Sequence, residues 1–300
     1  MLLGSDPEVF IEKDGYIVPA SVLLADDTDV LLPYDNKAYP DGAAIEFSVQ
    51  PTDDIAFLVD QIGCAMQTLQ QFGAVTTQPC MPLHVTDIAR SRGKGRGDMT
   101  ILGCQKDHRV YPWVKNGSRP DPRTYPYRSI GCHVHVGLDE TLLNGFTFRQ
   151  YAAMFLDAVI GTTFVLLSDD AWSQRRHTLY GLSGTIRYPE YGIEYRTPPA
   201  YAIKDPVITA AYYGSVQAVI CWLTGYWQTV INNEYTKLSA HLGGIDGMHR
   251  MQEAIDAFDQ TTCKEIRKEV LDNMVGVYTL DICPIEMFMN YTLDNFKIAW

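Results

Sequence analysis

The sequence predicts an α+β fold, and three observations carry that reading. Residues 1–200 break into short strand-like stretches separated by turn residues. Residues 201–300 carry a helical apolar period. Strand and helix do not alternate in the regular way that a doubly wound parallel sheet requires. At 300 residues the chain is long enough to bury a sizeable core. It reads as a single domain over 1–300, strand-rich over 1–200 and helical over 201–300.

The first elements are the clearest. Glu8 to Ile11 and Gly15 to Val18 flank Lys13-Asp14-Gly15, an Asp-Gly hairpin signal. Ala43 to Val49 is a second short strand, expected to end at Pro51. Thr52-Asp53-Asp54 then caps a helix whose apolar positions Ile55, Leu58, Val59, Ile62, Met66 and Leu69 recur until Gly73. Between 74 and 130 the pattern weakens. The basic glycine-rich run Ser91 to Gly97 and the Pro/Tyr-rich stretch Tyr111 to Tyr127 read as loops. Gly131 to Gly137 alternates as a strand, Phe148 to Leu167 is an apolar helix, and Gly192 to Thr197 is a strand stopped by Pro198-Pro199. Two helical stretches follow, over roughly 206–236 and 246–275.

Composition narrows the function classes. An apolar fraction of 46% and a charged fraction of 20% exclude a disordered or coiled-coil chain. Lys plus Arg number 24 against 36 Asp plus Glu, a formal charge of -12. That balance argues against general nucleic-acid binding or attachment to an anionic membrane by overall charge. No run of about 18 uninterrupted apolar residues suggests a membrane span, and the first residues lack the basic region of a secretory signal. Seven scattered cysteines with no C-x-x-C pair suggest reduced thiols in a reducing, cytoplasmic compartment.

Four strands carry polar residues where a purely structural sheet prefers apolar ones. Asp6 and Glu8 are two apart and share a strand face, as do His133 and His135, and Glu194 and Arg196. Glu46 sits alone within A-A-I-E-F. Each piece has a bland alternative, from a solvated strand face to an intrastrand ion pair. If the strands share one sheet, however, one face gathers carboxylates, imidazoles and a guanidinium, which cannot pack as a dry core. Acidic oxygens with imidazole suit Mg²⁺ or Mn²⁺. The run S-R-G-K-G-R-G lacks the G-K-[ST] ending of a phosphate-binding P-loop. It reads as a solvated loop or as a basic lid over a nucleotide or anionic substrate.

These motifs resemble a known superfamily. S-D-P-E-V-F (Ser5 to Phe10) is similar to the first metal-binding strand of glutamine synthetases. G-C-H-V-H-V-G matches the His-x-His strand of the glutamate–cysteine ligase-like carboxylate–amine ligases. G-T-I-R-Y-P-E-Y-G-I-E-Y-R-T-P resembles their later I-R-x-P segment and E-x-R strand. The D-P-E start, D-G-A-A-x-E-F and G-x-E-Y-R-T-P look most like the small amidoligases of some bacteriophages. Order and approximate spacing agree over residues 5–198.

The resemblance implies a glutamine synthetase-like catalytic domain, with an antiparallel sheet bearing the site and helices packed on its outer face. It implies an ATP-dependent ligase, with Mg²⁺ or Mn²⁺, that joins a carboxylate to an amine through an acyl phosphate. Glu8 and Glu46 would hold one cation; Asp6, His133 and Glu194 would hold another that bridges the ATP phosphates. His135 would touch a phosphate oxygen, Arg187 would meet the transferring γ-phosphoryl group, and Arg196 would bind phosphate or the substrate carboxylate. Asp6 stands where a glutamate is usual. A further phosphate-site arginine falls near Leu182, so Arg175 or Arg176 is the candidate replacement. The acid and amine substrates, small molecules or peptides, are not named by the sequence; a homo-oligomer is compatible with the family, and a phage-encoded chain would act in the host cytoplasm. The rival readings are a metal-dependent amide hydrolase using the same His-x-His cluster, and a non-catalytic phage protein on a ligase fold. For Arg187 the bland alternative is a surface ion pair with Glu190.

Overall fold

A computed structural model describes residues 1–24, 29–100, 108–114, 120–143, 146–168, 171–178, 180–229, 235–275 and 285. The strands are β1 (Leu3–Lys13), β2 (Tyr16–Val18), β3 (Val30–Leu31), β4 (Lys37–Asp41), β5 (Ala44–Phe47), β6 (Val49–Thr52) and β7 (Ala74–Thr76). They continue as β8 (Cys80–Pro82), β9 (His108–Arg109), β10 (Tyr127–Ser129), β11 (Cys132–Gly137), β12 (Thr185–Arg187) and β13 (Gly192–Tyr195). The large sheet runs β3-β4-β5-β1-β11-β13-β12-β9, with β2, β6 and β7 also paired to β1. Its pairings are antiparallel. The fold is therefore α+β with a large antiparallel sheet, as the sequence predicts.

β1 is the central strand, and its ends are set locally. Asp14 and Gly15 both take positive φ, 53° and 80°, so the chain reverses tightly and Lys13 pairs with Tyr16. Alternation along β1 then serves two different cores. Leu3, Val9 and Ile11 enter the main core, while Phe10 joins a smaller one with Ile17, Met81, Leu83, Ile88 and Met99 on the opposite side. β11 sends Cys132, Val134 and Val136 into the main core, and β13 sends Ile193 and Tyr195. The main core is closed by helices, chiefly Ile55–Leu69, Phe146–Leu167 and Pro206–Thr229. The long Pro206–Thr229 helix is tied to the sheet: Tyr213 donates to Ser5 Oγ (2.6 Å) and Tyr212 to the Cys132 carbonyl (3.2 Å).

Several expectations are refined. The strand expected over Ala43 to Val49 is two strands, broken at Ser48, and Pro51 lies inside β6 opposite the β1 start rather than ending a strand. The Asp54 carboxylate caps the Ile55–Leu69 helix by accepting from Ala56 and Phe57 N–H. The apolar helix over 148–167 is not uniform: Asp157–Gly161 widens into a π turn. The Asp157 carboxylate there accepts from Tyr111 and Tyr195, both at 2.7 Å, beneath the sheet. The helical stretch at 246–275 divides into Gly244–Asp256 and Gln260–Val275. The run Ser91 to Gly97 is folded, with a short 3-10 turn at Gly95–Gly97. The Tyr111–Tyr127 loop falls partly, and Cys104 and Cys283 wholly, outside the described residues.

Two helical runs, Thr147–Leu167 and Pro206–Thr229, have the length and apolar character of a membrane span. The uninterrupted-run criterion passes over both because polar residues punctuate them. In the fold, 78% and 72% of their apolar windows are buried, which makes them core helices.

The β11–β13 pairing depends on Gly192. A Cβ at that position would lie 1.9 Å from the Val136 carbonyl oxygen, which is backbone and cannot move aside cheaply. Gly192→Ala should therefore destabilise the fold by about 1–3 kcal/mol, the range typical of overpacking. Chemical denaturation of the purified variant checks this, and wild-type stability would mean that the two strands separate without cost.

Candidate functional site

The site residues singled out from the sequence, apart from Arg175 and Arg176 on the Ala171–His177 helix, lie on the sheet face opposite the main core. Register explains why. Asp6 pairs with His133, Gly4 with His135, His135 with Glu194, and Glu194 with Arg187 across β1, β11, β13 and β12. On the other side Glu8 pairs with Glu46, and Glu46 with Tyr39, across β1, β5 and β4. Directly opposed residues project to the same face, so one row of side chains crosses six strands.

The row forms two clusters. In the first, Asp6 Oδ1 lies 3.1 Å from His133 Nδ1 and 3.1 Å from His135 Nε2. Glu194 Oε1 is 3.7 Å from His133 Nδ1. Asp6, His135 and Glu194 each offer a ligand atom within 4.8 Å of the others, so His135 joins the set that the resemblance limits to Asp6, His133 and Glu194. In the second cluster Glu8 and Glu46 are joined by Asp41, again within 4.8 Å. Asp41 was missed because Asp41-Gly42 reads as a turn; it lies in the same D-G-A-A-x-E-F stretch as Glu46.

Asp6 Oδ1 and His135 Nε2 are buried and make no well-angled hydrogen bond among the described residues. Two such atoms facing each other, among carboxylates and imidazole, form a donor set that suits a small divalent cation. Arginines border the first cluster. Arg196, 2% exposed, pairs through Nη1 with Glu194 Oε1, and Arg187 Nη1 is 3.4 Å from the same oxygen. Arg187 thus faces Glu194 and not the Glu190 of the bland alternative.

Arg176 requires a correction. It is 1% exposed and spends its donors on the carbonyls of Ile130, Thr197 and Pro198, at 2.8, 2.9 and 2.8 Å. It straps the entry to β11 to the exit of β13 and does not present a guanidinium to a nucleotide. Arg175 stacks on Tyr127, 4.2 Å from the ring centroid.

Three tyrosines were also missed, each anchored by its hydroxyl to a site residue: Tyr39 to Glu46, Tyr191 to His135 and Tyr180 to His133. Tyr180 and Tyr191 stand in no two-residue spacing with a site residue, and Tyr39 does so only with Asp41, itself missed. Tyr39 and Tyr191 line a cavity of about 390 Å³ with Leu2, Val49, Pro51 and Gly137, open to Asp6 and His135. The loop holding Arg96 borders this region. Its guanidinium lies 4.7 Å from the Tyr39 ring centroid, and its carbonyl accepts from Gly42 N–H.

The electrostatics separate the clusters. Burial alone would raise the Asp6 carboxyl, but the imidazoles, His133 foremost, outweigh it and hold it well below the usual carboxylate range. Burial, then the Asp41 charge, pushes Glu8 up to about 8. Burial and the neighbouring Asp6, Glu8 and Asp41 push Glu46 up well above its ordinary value, and Asp41 is raised too, chiefly by burial. Three carboxyls crowded together hold protons because their joint ionisation is unfavourable. His133 is held neutral by burial and by Arg196, whereas Asp6 raises His135 against its burial.

An antiparallel sheet that gathers carboxylates, imidazoles and two arginines on one face beside a cavity defines the class of the site: a charged face with two clusters spaced to hold cations. The family model of the phage phiEco32-like COOH.NH2 ligase-type 2 matches residues 113–272, and the chain belongs to that family of carboxylate–amine ligases. The match takes in His133, His135, Arg187, Glu194 and Arg196. No curated protein matches the chain at a significant level.

The raised Glu8 value has a measurable consequence. The folded state binds the Glu8 proton up to about pH 8, whereas an ordinary glutamate releases it near 4.5. The stabilisation is complete below pH 4.5 and is lost as pH rises towards 8. Buried Asp157, raised to about 7, acts with the same sign. The melting temperature in EDTA should therefore fall across this window, and Glu8→Gln should make the fall shallower. A slope identical to wild type in Glu8→Gln, from a pH series of thermal melts, would contradict the assignment.

Proposed function

We propose that this ligase is ATP- and divalent-metal-dependent and joins a carboxylate to an amine through an acyl phosphate, on a glutamine synthetase-like catalytic fold. One observation carries the reading: in a carboxylate–amine ligase family member, two carboxylate clusters and two arginines share one sheet face beside a cavity. Activating a carboxylate with a nucleoside triphosphate brings together more negative charge than any other step of amide formation, and this face is built to compensate it.

In this reading Asp6, His133 and Glu194, with His135 alongside, would hold one divalent cation, and Glu8, Asp41 and Glu46 would hold the second. When bound, Mg²⁺ or Mn²⁺ neutralises phosphate oxygens and aligns them for displacement. The nucleoside occupies the cavity walled by Tyr39 and Tyr191, whose apolar floor of Leu2, Val49 and Pro51 suits a flat base. Arg187, one third exposed, reaches over Glu194 to the γ-phosphoryl group. A substrate carboxylate oxygen forms a bond to that phosphorus as the bond to the ADP oxygen breaks. Arg196, fixed beside His133 and Glu194, holds the transferred group or the substrate carboxylate. The amine nitrogen then attacks the acyl carbon, phosphate leaves, and the proton shed by the nitrogen passes to the departing phosphate. The acid and amine are small molecules or peptides.

Two measurements test the reading. Calorimetric titration with ATP should show binding with Mg²⁺ and little or none in EDTA, because acidic clusters repel a bare triphosphate. Steady-state ADP release, with pools of carboxylates offered against pools of amines, should detect turnover in wild type. Arg187→Lys should retain ATP affinity within a few-fold and lose about 10²-fold or more in turnover, since a planar donor fork is replaced by a point charge. Full turnover in that variant would remove Arg187 from the chemistry. Amide hydrolysis with Zn²⁺ and without ATP would replace the proposal with the hydrolase reading.

A further inference from the structure

His133 is the most enclosed residue of the first cluster, at 1% exposure, and both of its ring nitrogens are engaged. Nδ1 faces Asp6, Glu194 and Arg196 Nη1, the last at 3.3 Å. Nε2 points away from the cluster and meets the hydroxyl of Tyr180. The two rings stand edge to face, with centroids 5.5 Å apart and planes at 70°.

Tyr180 is itself held firmly. Its N–H donates to the Arg176 carbonyl at 2.8 Å, and its ring lies 5.1 Å from the Arg176 guanidinium and 5.3 Å from that of Arg196. The neighbouring Gly181 has φ +76°, and a Cβ there would fall 1.7 Å from Arg176 Nη1, so glycine leaves the space that the Arg176 strap fills. Gly131 does the same for the histidine–tyrosine pair: its Cβ would lie 2.8 Å from His133 Nε2 and 3.1 Å from Tyr180 Cε1. Two glycines and a buried arginine thus frame the contact between His133 and Tyr180.

We propose that Tyr180 is a positioning residue for the cation at Asp6, His133 and Glu194. Its hydroxyl fixes the ring of His133 and accepts a hydrogen bond from Nε2–H, so that the Nδ1 lone pair is presented to the metal. A hydroxyl is suited to this because it both donates and accepts. Without a cation it can donate to Nε2 while Nδ1–H faces Asp6; with a cation it accepts from Nε2–H. A partner that holds the distal nitrogen of a ligating imidazole typically contributes ten- to a hundredfold in metal affinity. The proposal rests on the reading of this cluster as a cation site and adds the residue that orients it.

Tyr180→Phe isolates the hydroxyl, because the phenyl ring keeps its packing against Arg176 and Arg196. Mn²⁺ binding, followed by electron paramagnetic resonance and calorimetry on the purified full chain, is the primary readout. The expected result is an affinity lowered by about 10- to 100-fold. In EDTA the variant should remain cooperatively folded, its melting temperature lowered by a few degrees because buried His133 Nε2 loses its partner, and turnover should recover to within a few-fold at saturating metal. Long-range ¹⁵N correlation spectra of wild type provide a measurement that needs no variant: with Mg²⁺ the His133 proton should reside on Nε2. Unchanged Mn²⁺ affinity in Tyr180→Phe, or a His133 proton on Nδ1 in the Mg²⁺-loaded protein, overturns the proposal. If wild type binds no Mn²⁺ at all, the cation-site reading falls and the proposal with it.

Discussion

The pairing of β1 with its neighbours on both edges is the constraint on which the functional face depends. A strand can send alternate residues to opposite sides only while its register is held, and a slip of one residue would drive Asp6 and Glu8 into the main core. Here the register is fixed from both directions. β11 pairs with Leu3 to Pro7 on one edge, and β5 pairs with Glu8 and Val9 on the other. Beyond the site, the Asp14-Gly15 turn sets the hairpin with β2. Buried charge is tolerated on this face because the groups are paired with one another, Asp6 with the two imidazoles and Glu194 with two arginines.

The packed side beneath this face is more than inert filler. Ser5 projects from β1 into the main core, where its hydroxyl donates to the His133 carbonyl and accepts from Tyr213. Asp157 lies beneath β13 and gathers the hydroxyls of Tyr111, Tyr195 and, at 3.4 Å, Thr197. Tyr195 stands between Glu194 and Arg196, so the Asp157 contact steadies the strand segment that carries both. The π turn supplies this anchor: widening the helix by one residue per turn re-aims the Asp157 side chain towards the sheet. Polar contacts on the core side therefore locate the charged groups on the other.

How much of this was legible in the sequence follows from the physics of each element. The D-P-E, H-V-H and I-E-Y-R alternations are visible because a period of two belongs to the strand itself and survives any tertiary context. The α+β class and the single polar face follow from them. Asp41 was less visible because an Asp-Gly pair signals a turn, and only the β4–β5 pairing turns its carboxylate towards Glu8 and Glu46. β12 was obscured by the glycines at 181 and 184 that precede it. Arg176 could not be distinguished from a ligand-facing arginine, since its role is set by three carbonyls distant in sequence. Tyr39, Tyr180 and Tyr191 act through contacts between elements, and no local spacing announces such contacts.

The two clusters share a strand, and this fixes a length. Asp6 and Glu8 are separated by one pleat, two residues of extended chain, or roughly 6.8 Å along the strand. Across the sheet, β1 and β11 are about 4.8 Å apart. These are backbone dimensions, common to every antiparallel sheet and insensitive to loop conformation. The sheet thus serves as a ruler: the spacing of the two charged centres is gauged by the pleat itself and does not depend on how the surrounding loops are arranged.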